Sequence, residues 1–149
     1  MQPSLPFASD ERRVDELTLF CDGGSRGNPG PAAIGAVVYD DGSDPPVRVA
    51  TVSERIGVTT NNVAEYRALI AGLEAVAPLR ARVVHVRADS MLVVKQLRGE
   101  YRVKHEQLKP LHARARELLA AYERADLGHV PREENTEADA LVNAALDAT

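Results

Sequence analysis

Four carboxylates in this chain stand where local elements change, and that placement is what chemistry on a phosphate would need. Asp22 follows the apolar run Leu17-Thr18-Leu19-Phe20-Cys21 and opens the loop Gly23-Gly24-Ser25-Arg26-Gly27-Asn28-Pro29-Gly30-Pro31. Glu65 comes at the start of a helical pattern, just after Thr59-Thr60-Asn61-Asn62. Asp89 ends the apolar stretch Val83–Ala88, and Asp139 lies near the start of the last helical pattern. Each has a modest structural explanation by itself. Asn62 three residues before Glu65, and Thr136 three before Asp139, have the form of a helix cap facing an acid. Asp89 could cap the short helix after it, and Asp22 could be a turn residue. Taken together they read differently. The carboxyl ends of neighbouring parallel strands lie side by side, so Asp22 and Asp89 would emerge together, with Glu65 and Asp139 pointing in from helix starts. Clustered acids repel and resist ionising. A pair of divalent cations relieves that, and Mg²⁺ in particular takes oxygen ligands while keeping waters that suit a phosphate substrate.

The elements that must hold these acids can be read from periodicity. Glu16–Cys21, Ala33–Tyr39 and Val47–Ile56 read as three strands, with a turn at Asp40-Asp41-Gly42-Ser43, and together they make an antiparallel meander. The period then changes. Ala64, Ala68, Leu69, Ala71, Leu73 and Val76 follow helical spacing up to Pro78. Val83–Ala88 is a fourth strand, Ser90–Leu97 a short helix ended by Gly99, and His105–Tyr122 a longer helix. Ala125–Val130 is a fifth strand and Thr136–Leu146 the final helix. The order βββαβααβα predicts an α/β protein with a mixed sheet flanked by helices.

Composition narrows the class. At 149 residues the chain suits one domain with a real core, and we expect residues 1–14 as a loose polar tail before a domain spanning 15–149. Formal net charge is −4, so the molecule as a whole is not built to bind a polyanion. Residues 95–116 nevertheless carry seven cations (Lys95, Arg98, Arg102, Lys104, Lys109, Arg114 and Arg116) against Glu100 and Glu106. That strip reads either as a solvated helix face or as a phosphate-facing surface. Cys21 is the single cysteine, which excludes an intramolecular disulfide, and its apolar neighbours mark it as a small core residue. No segment has the form of a signal peptide or a membrane span, so the expectation is a cytoplasmic protein.

Two other motifs compete for the first glycine loop. Gly23-Gly24-Ser25-Arg26-Gly27 matches the spacing of a nucleophile elbow, but that serine should lead directly into a helix and here Asn28-Pro29-Gly30-Pro31 follows. A nucleotide-phosphate loop would need a Gly-Lys-Ser/Thr ending or the dinucleotide glycine spacing, and both are absent.

The stretch Asp22–Pro31 resembles the opening motif of type 1 ribonuclease H. Thr60-Asn61-Asn62-Val63-Ala64-Glu65, Ala88-Asp89-Ser90 and Asn135-Thr136-Glu137-Ala138-Asp139 resemble its remaining motifs in the right order, and the resemblance runs from about Glu16 to Asp147. It implies the ribonuclease H fold, a five-stranded mixed sheet, and metal-dependent hydrolysis of the RNA strand of an RNA–DNA hybrid, leaving 5′-phosphate and 3′-hydroxyl ends. Asp22, Glu65, Asp89 and Asp139 match the family's metal-binding acids. They would hold two Mg²⁺ ions, with Mn²⁺ as a substitute, one ion activating water and the other stabilising the leaving oxygen.

The resemblance also suggests an assisting residue. His129 stands at the spacing of a mobile family histidine that shuttles a proton or helps product leave, and Arg132 is the alternative in relatives with a Val-Pro-Arg segment. Asn28, Asn61 and Asn62 would contact sugars and backbone of the hybrid. Thr60 would join Asn61 on a DNA-strand phosphate, and Gly24 and Gly27 would allow close approach. Asn28 is the leading candidate for reading a 2′-hydroxyl. Ser90 joins this substrate set beside Asp89. Many members insert a basic, tryptophan-rich protrusion between the short and long helices. Here Leu97–Lys104 is brief and the chain has no Trp, which implies the branch without that protrusion and salt-sensitive binding in which Arg98, Arg102 and Lys104 partly substitute. Tyr101 would stack or simply pack. The departure leaves double-stranded RNA as a second substrate. We expect a monomer. The competing readings are a non-catalytic hybrid or duplex binder and a DNA nuclease of the same broad fold.

Overall fold

The computed structural model describes residues 14–148. The tail read over residues 1–14 lies outside the described residues except for Val14, which is buried in the core. Five strands form one sheet in the order β3-β2-β1-β4-β5. They are β1 (Glu16–Ser25), β2 (Gly30–Asp40), β3 (Val47–Thr59), β4 (Val83–Ala88) and β5 (Arg124–His129). β1 pairs antiparallel with β2 and parallel with β4, and β4 pairs parallel with β5. The helices are α1 (Asn61–Val76), α2 (Met91–Leu97), α3 (Lys109–Leu119) and α4 (Thr136–Asp147). The observed order is the βββαβααβα of the sequence reading.

Alternation explains how the sheet is sandwiched. Leu17, Leu19 and Cys21 of β1 join Ile34, Ala36 and Val38 of β2 beneath Ala68, Leu69, Leu73 and Val76 of α1. The other residues of β2 face the opposite side, where Ala33 meets Val142 and Ala145 of α4. β2 is therefore buried on both faces and reads as a near-continuous apolar run. α4 lies so close that a Cβ on Gly35 would sit 2.4 Å from the Ala138 carbonyl oxygen, which only glycine avoids. On the first side, buried Tyr66 of α1 donates its hydroxyl to Gln96 Oε1 of α2 at 2.6 Å.

Several boundaries differ from the sequence reading, those of β1 and α3 among them. β1 continues four residues past Cys21, because β2 goes on pairing with it as far as Ser25↔Ala32. Asp22 thus lies within a strand, just beyond the last β1–β4 pair, Cys21↔Ala88. α3 begins at Lys109, with Pro110 in its first turn where a missing N–H costs nothing. It ends at Leu119 in tight turns from Ala121 and Tyr122. The helix caps also move. Thr60, not Asn62, caps α1 through its Oγ1 on Val63 N at 3.3 Å, and Asn135, not Thr136, occupies the cap position of α4.

Candidate active site

Four segments converge on one cleft of about 280 Å³, lined by Asp22, Glu65, Asp89, Asp139 and Arg132, with Asn61, Asn143 and residues 23–26 around them. Asp22 points into it from β1 at the level where β4 has stopped. Asp89 leaves the end of β4, freed from capping because Ser90 caps α2 with its Oγ on Val93 N at 3.3 Å. Glu65 comes from the second turn of α1, later than the helix-start placement expected from sequence, because α1 already begins at Asn61, and Asp139 comes from the first turn of α4. Oxygens of Asp22, Glu65 and Asp89 all lie within 4.8 Å of one another. Asp139 lines the same cleft and acts on the Asp22 carboxyl.

β1 and α1 meet here at backbone contact. A Cβ on Gly23 would fall 2.2 Å from the carbonyl carbon and oxygen of Ala64. That approach lets Gly23 N–H donate to Glu65 Oε1 at 2.9 Å, fixing the carboxylate. Gly23 is thus the glycine whose missing side chain builds the site. Gly24 lines the cleft with ordinary room beside Val142, and Gly27 is required by its φ of +101°.

The electrostatics are those of an uncompensated cluster. Burial pushes the Asp22 carboxyl up to about 8, reinforced by the charges of Asp89 and Asp139, while Arg132 opposes. Glu65 is likewise held well above the carboxylate range, by burial and then by Asp22 and Asp89, against the Gly23 N–H and Arg132. The Cys21 thiol is buried and raised for the same reasons, as suits a core residue. All donors are oxygens, three are within bridging distance, and Arg132 offsets only part of their repulsion. This set fits a hard divalent cation.

The candidate substrate residues divide. Asn61 lines the cleft and its Oδ1 accepts from Ser25 N at 2.9 Å and from Ser25 Oγ at 3.1 Å. Asn61 N donates to Asn28 Oδ1 at 3.0 Å, so the loop after β1 is tied to the start of α1. Asn28 and Asn62 are exposed beside it. Thr60 and Ser90 spend their hydroxyls on caps. Arg98 and Lys104 are exposed in the stretch 98–108, which joins α2 to α3 without a helix, and neither lines the cleft. Arg98 instead faces Glu100 at 3.7 Å, and Lys95 lies over the Tyr101 ring at 5.1 Å. Of the two assisting candidates, Arg132 lines the cleft and acts on both Asp22 and Glu65. His129 is exposed at the end of β5, outside the lining.

Two residues at the site were not singled out from sequence. Asn143 donates from Nδ2 to Asp139 Oδ2 at 3.4 Å, and its place four residues along the same helix was a readable signal. Asn135 is buried against Asp89. Its only signal was membership of the Asn135–Asp139 motif.

Residues 20–145 match the family described as reverse transcriptase-like. The chain is 49% identical over 136 residues to ribonuclease HI of Halobacterium salinarum, covering 91% of this chain and 66% of that protein. It is 47% identical over 133 residues to the bifunctional protein Rv2228c of Mycobacterium tuberculosis, of which it spans 36%. The solved N-terminal ribonuclease H domain of Rv2228c superposes with a TM-score of 0.84 at 46% identity, covering 89% of this chain and 99% of that one. LC11-RNase H1, solved in complex with an RNA/DNA hybrid, gives 0.80 at 40% identity over 88% of this chain and 96% of its own. The fold and the acid cluster define a ribonuclease H-like domain. Within that class the chain belongs to the type 1 ribonuclease H family.

Proposed function

We propose that this protein is a metal-dependent endoribonuclease that hydrolyses the RNA strand of RNA–DNA hybrids, leaving 5′-phosphate and 3′-hydroxyl ends. The observation that carries this reading is the convergence of Asp22, Glu65 and Asp89 oxygens within 4.8 Å of one another, in a chain of this family. The hybrid complex of LC11-RNase H1 supports the substrate class. We take residues 15–149 as the domain that acts, working as a monomer.

Asp22, Glu65, Asp89 and Asp139 would hold two Mg²⁺ ions, or Mn²⁺ in their place. Bound there, the pair supplies a nucleophilic water and stabilises charge on the leaving 3′ oxygen of an in-line displacement. The chain's own groups do the rest. The Gly23 N–H fixes Glu65, and α4 delivers Asp139. Arg132 takes the assisting role in preference to His129, because a guanidinium lining the cleft can bind a phosphate oxygen where charge builds up. Asn61, held by Ser25 and Asn28, presents the start of α1 to the substrate backbone. Asn28 and Asn62 face the sugars alongside it. Gly24 and Gly27 keep that approach clear, with Thr60 and Ser90 ordering the two helix starts. Arg98 and Lys104 meet the far phosphates.

The test is cleavage of end-labelled RNA in a hybrid duplex with Mg²⁺ or Mn²⁺, beside RNA–RNA, DNA–DNA and single-stranded controls. Wild type should cut the RNA strand only with metal. Asp89→Asn should lose about 10³-fold, since a bound cation contributes several kcal/mol and each 1.4 kcal/mol is tenfold. Hybrid left intact under both metals would overturn the reading. Cutting confined to RNA–RNA would replace the substrate class.

A further inference from the structure

Asn135 occupies the cap position of α4, where an asparagine ordinarily turns its side-chain oxygen onto a backbone N–H of the first turn. Here it makes no capping bond. The side chain is turned away from the helix and buried, with 1% of its surface exposed. Its Nδ2 donates to Cys21 O at 2.9 Å and lies 3.4 Å from Asp89 Oδ2. Its Oδ1 has no partner at all, the one such buried side-chain atom among the described residues. Flipping the amide would not help, because it would set Oδ1 against the Cys21 carbonyl and the Asp89 carboxylate.

This residue therefore forgoes a cap and leaves a buried acceptor unpaired, both of which destabilise the fold. What it gains is contact with every segment of the site except α1. Cys21 O is the carbonyl just before Asp22. Asp89 is touched directly. Asn135 N donates to Arg132 O at 2.9 Å, closing the turn that carries Arg132. Asn135 O accepts from Asp139 N at 3.1 Å, the bond that starts α4 and sets the height of Asp139. One side chain and its backbone thus join β1, the end of β4, the Arg132 turn and the α4 start.

We infer that Asn135 is a positioning residue that holds the Asp89 carboxylate in register with Asp22 and Asp139 for divalent-cation binding. This rests on the proposed function. Groups that orient metal-binding carboxylates typically matter about 10–100-fold in metal affinity or activity. The deciding variant is Asn135→Ser, which can cap α4 as well as asparagine does but is too short to reach Cys21 O and Asp89 together. Asn135→Ala serves if the serine variant does not fold. Circular dichroism and a urea midpoint establish folding, calorimetry measures Mn²⁺ binding without substrate, and hybrid cleavage gives kcat and KM.

The expected result is a folded variant at least as stable as wild type, with Mn²⁺ affinity down about 10-fold, kcat down 10–100-fold, and KM for hybrid within twofold. A lower urea midpoint with Mn²⁺ affinity and kcat within twofold of wild type would show a merely structural role. A rise in KM with unchanged Mn²⁺ affinity would make Asn135 a substrate contact, and either outcome overturns the inference. Should wild type fail to cleave hybrid, the proposed function falls, while the calorimetric comparison still decides the role of Asn135.

Discussion

Two carboxylate clusters lie toward opposite ends of the same sheet, and they are finished in different ways. At one end Glu16, Asp41 and Asp126 surround His85. His85 Nε2 bonds Glu16, its Nδ1 lies 3.1 Å from Asp126 Oδ2, Arg87 NH2 donates to the same oxygen at 2.8 Å, and Thr18 Oγ1 donates to Asp41 at 2.6 Å. Arg87 and His85 hold the Asp126 carboxyl below its usual range. At the other end Asp22, Glu65, Asp89 and Asp139 face one another with Arg132 as a partial counterweight, and Asp22 and Glu65 are driven upward. The first cluster is a closed ion network that staples β1, β4 and β5. The second has excess negative charge that a cation from solution would complete.

The largest expected contrast is in the response to metal. Mg²⁺ at pH 8 should raise the melting temperature of wild type by several degrees, at ~2–4 °C per kcal/mol for a chain of this size. Asp22→Asn should abolish that rise while raising the metal-free melting temperature, since it removes a buried, repelled carboxylate. Asp126→Asn should do the reverse, keeping the Mg²⁺ response and lowering the metal-free value. Scanning calorimetry of the three proteins reads this directly, and equal behaviour of the two variants would break the comparison.

A smaller effect appears in pH dependence, where both clusters have the same sign for different reasons. Asp22 ionises near pH 3.8 when unfolded and at about 8 when folded. The native state therefore binds more protons between those values, and metal-free stability falls as pH rises across them. His85 also has a raised folded value: burial lowers it, but its bonds to Glu16 and Asp126 outweigh that. Its contribution is fully present below about 6.5 and is lost as pH climbs through the raised value. Saturating Mg²⁺ should flatten the first slope and leave the second, and His85→Gln should remove the second and leave the first. Melting temperatures from pH 4 to 9 with and without Mg²⁺ separate them.

The smallest contrast extends the rule to the surface. Arg98 already faces Glu100, whereas no ion pair involves Lys104 among the described residues. Lys104→Ser should therefore cost more hybrid affinity than Arg98→Ser. It should reduce the slope of log K against log salt by ~0.7–0.9, one phosphate contact, with kcat unchanged. Filter binding across a salt series checks it, and equal slopes for both variants would show that the pairing with Glu100 does not matter.

The element order was readable because alternation and helical spacing change at Ala64, Val83 and Ser90, and the four acids were readable because each closes or opens one of those elements. The exact strand end at Ser25 was not, since β2 is what extends β1 past Cys21. The helix caps were misassigned because Thr60 and Asn62, or Asn135 and Thr136, are equally good cap types in sequence. Sequence spacing favoured His129, ten residues before Asp139, with Arg132, seven before it, as the alternative. Only the short turn Arg132–Glu134 before α4 brings the arginine to the cleft.

The sequence by itself determined the alternation of strands and helices and which oxygens could meet a cation, because both follow from local residue types and spacing. Tertiary structure decided which of the chain's carboxylate groups are already neutralised. The burial and charge that raise Asp22 and the cations that satisfy Asp126 arrive from segments tens of residues away, and Coulomb interactions act over ångströms in space rather than along the chain.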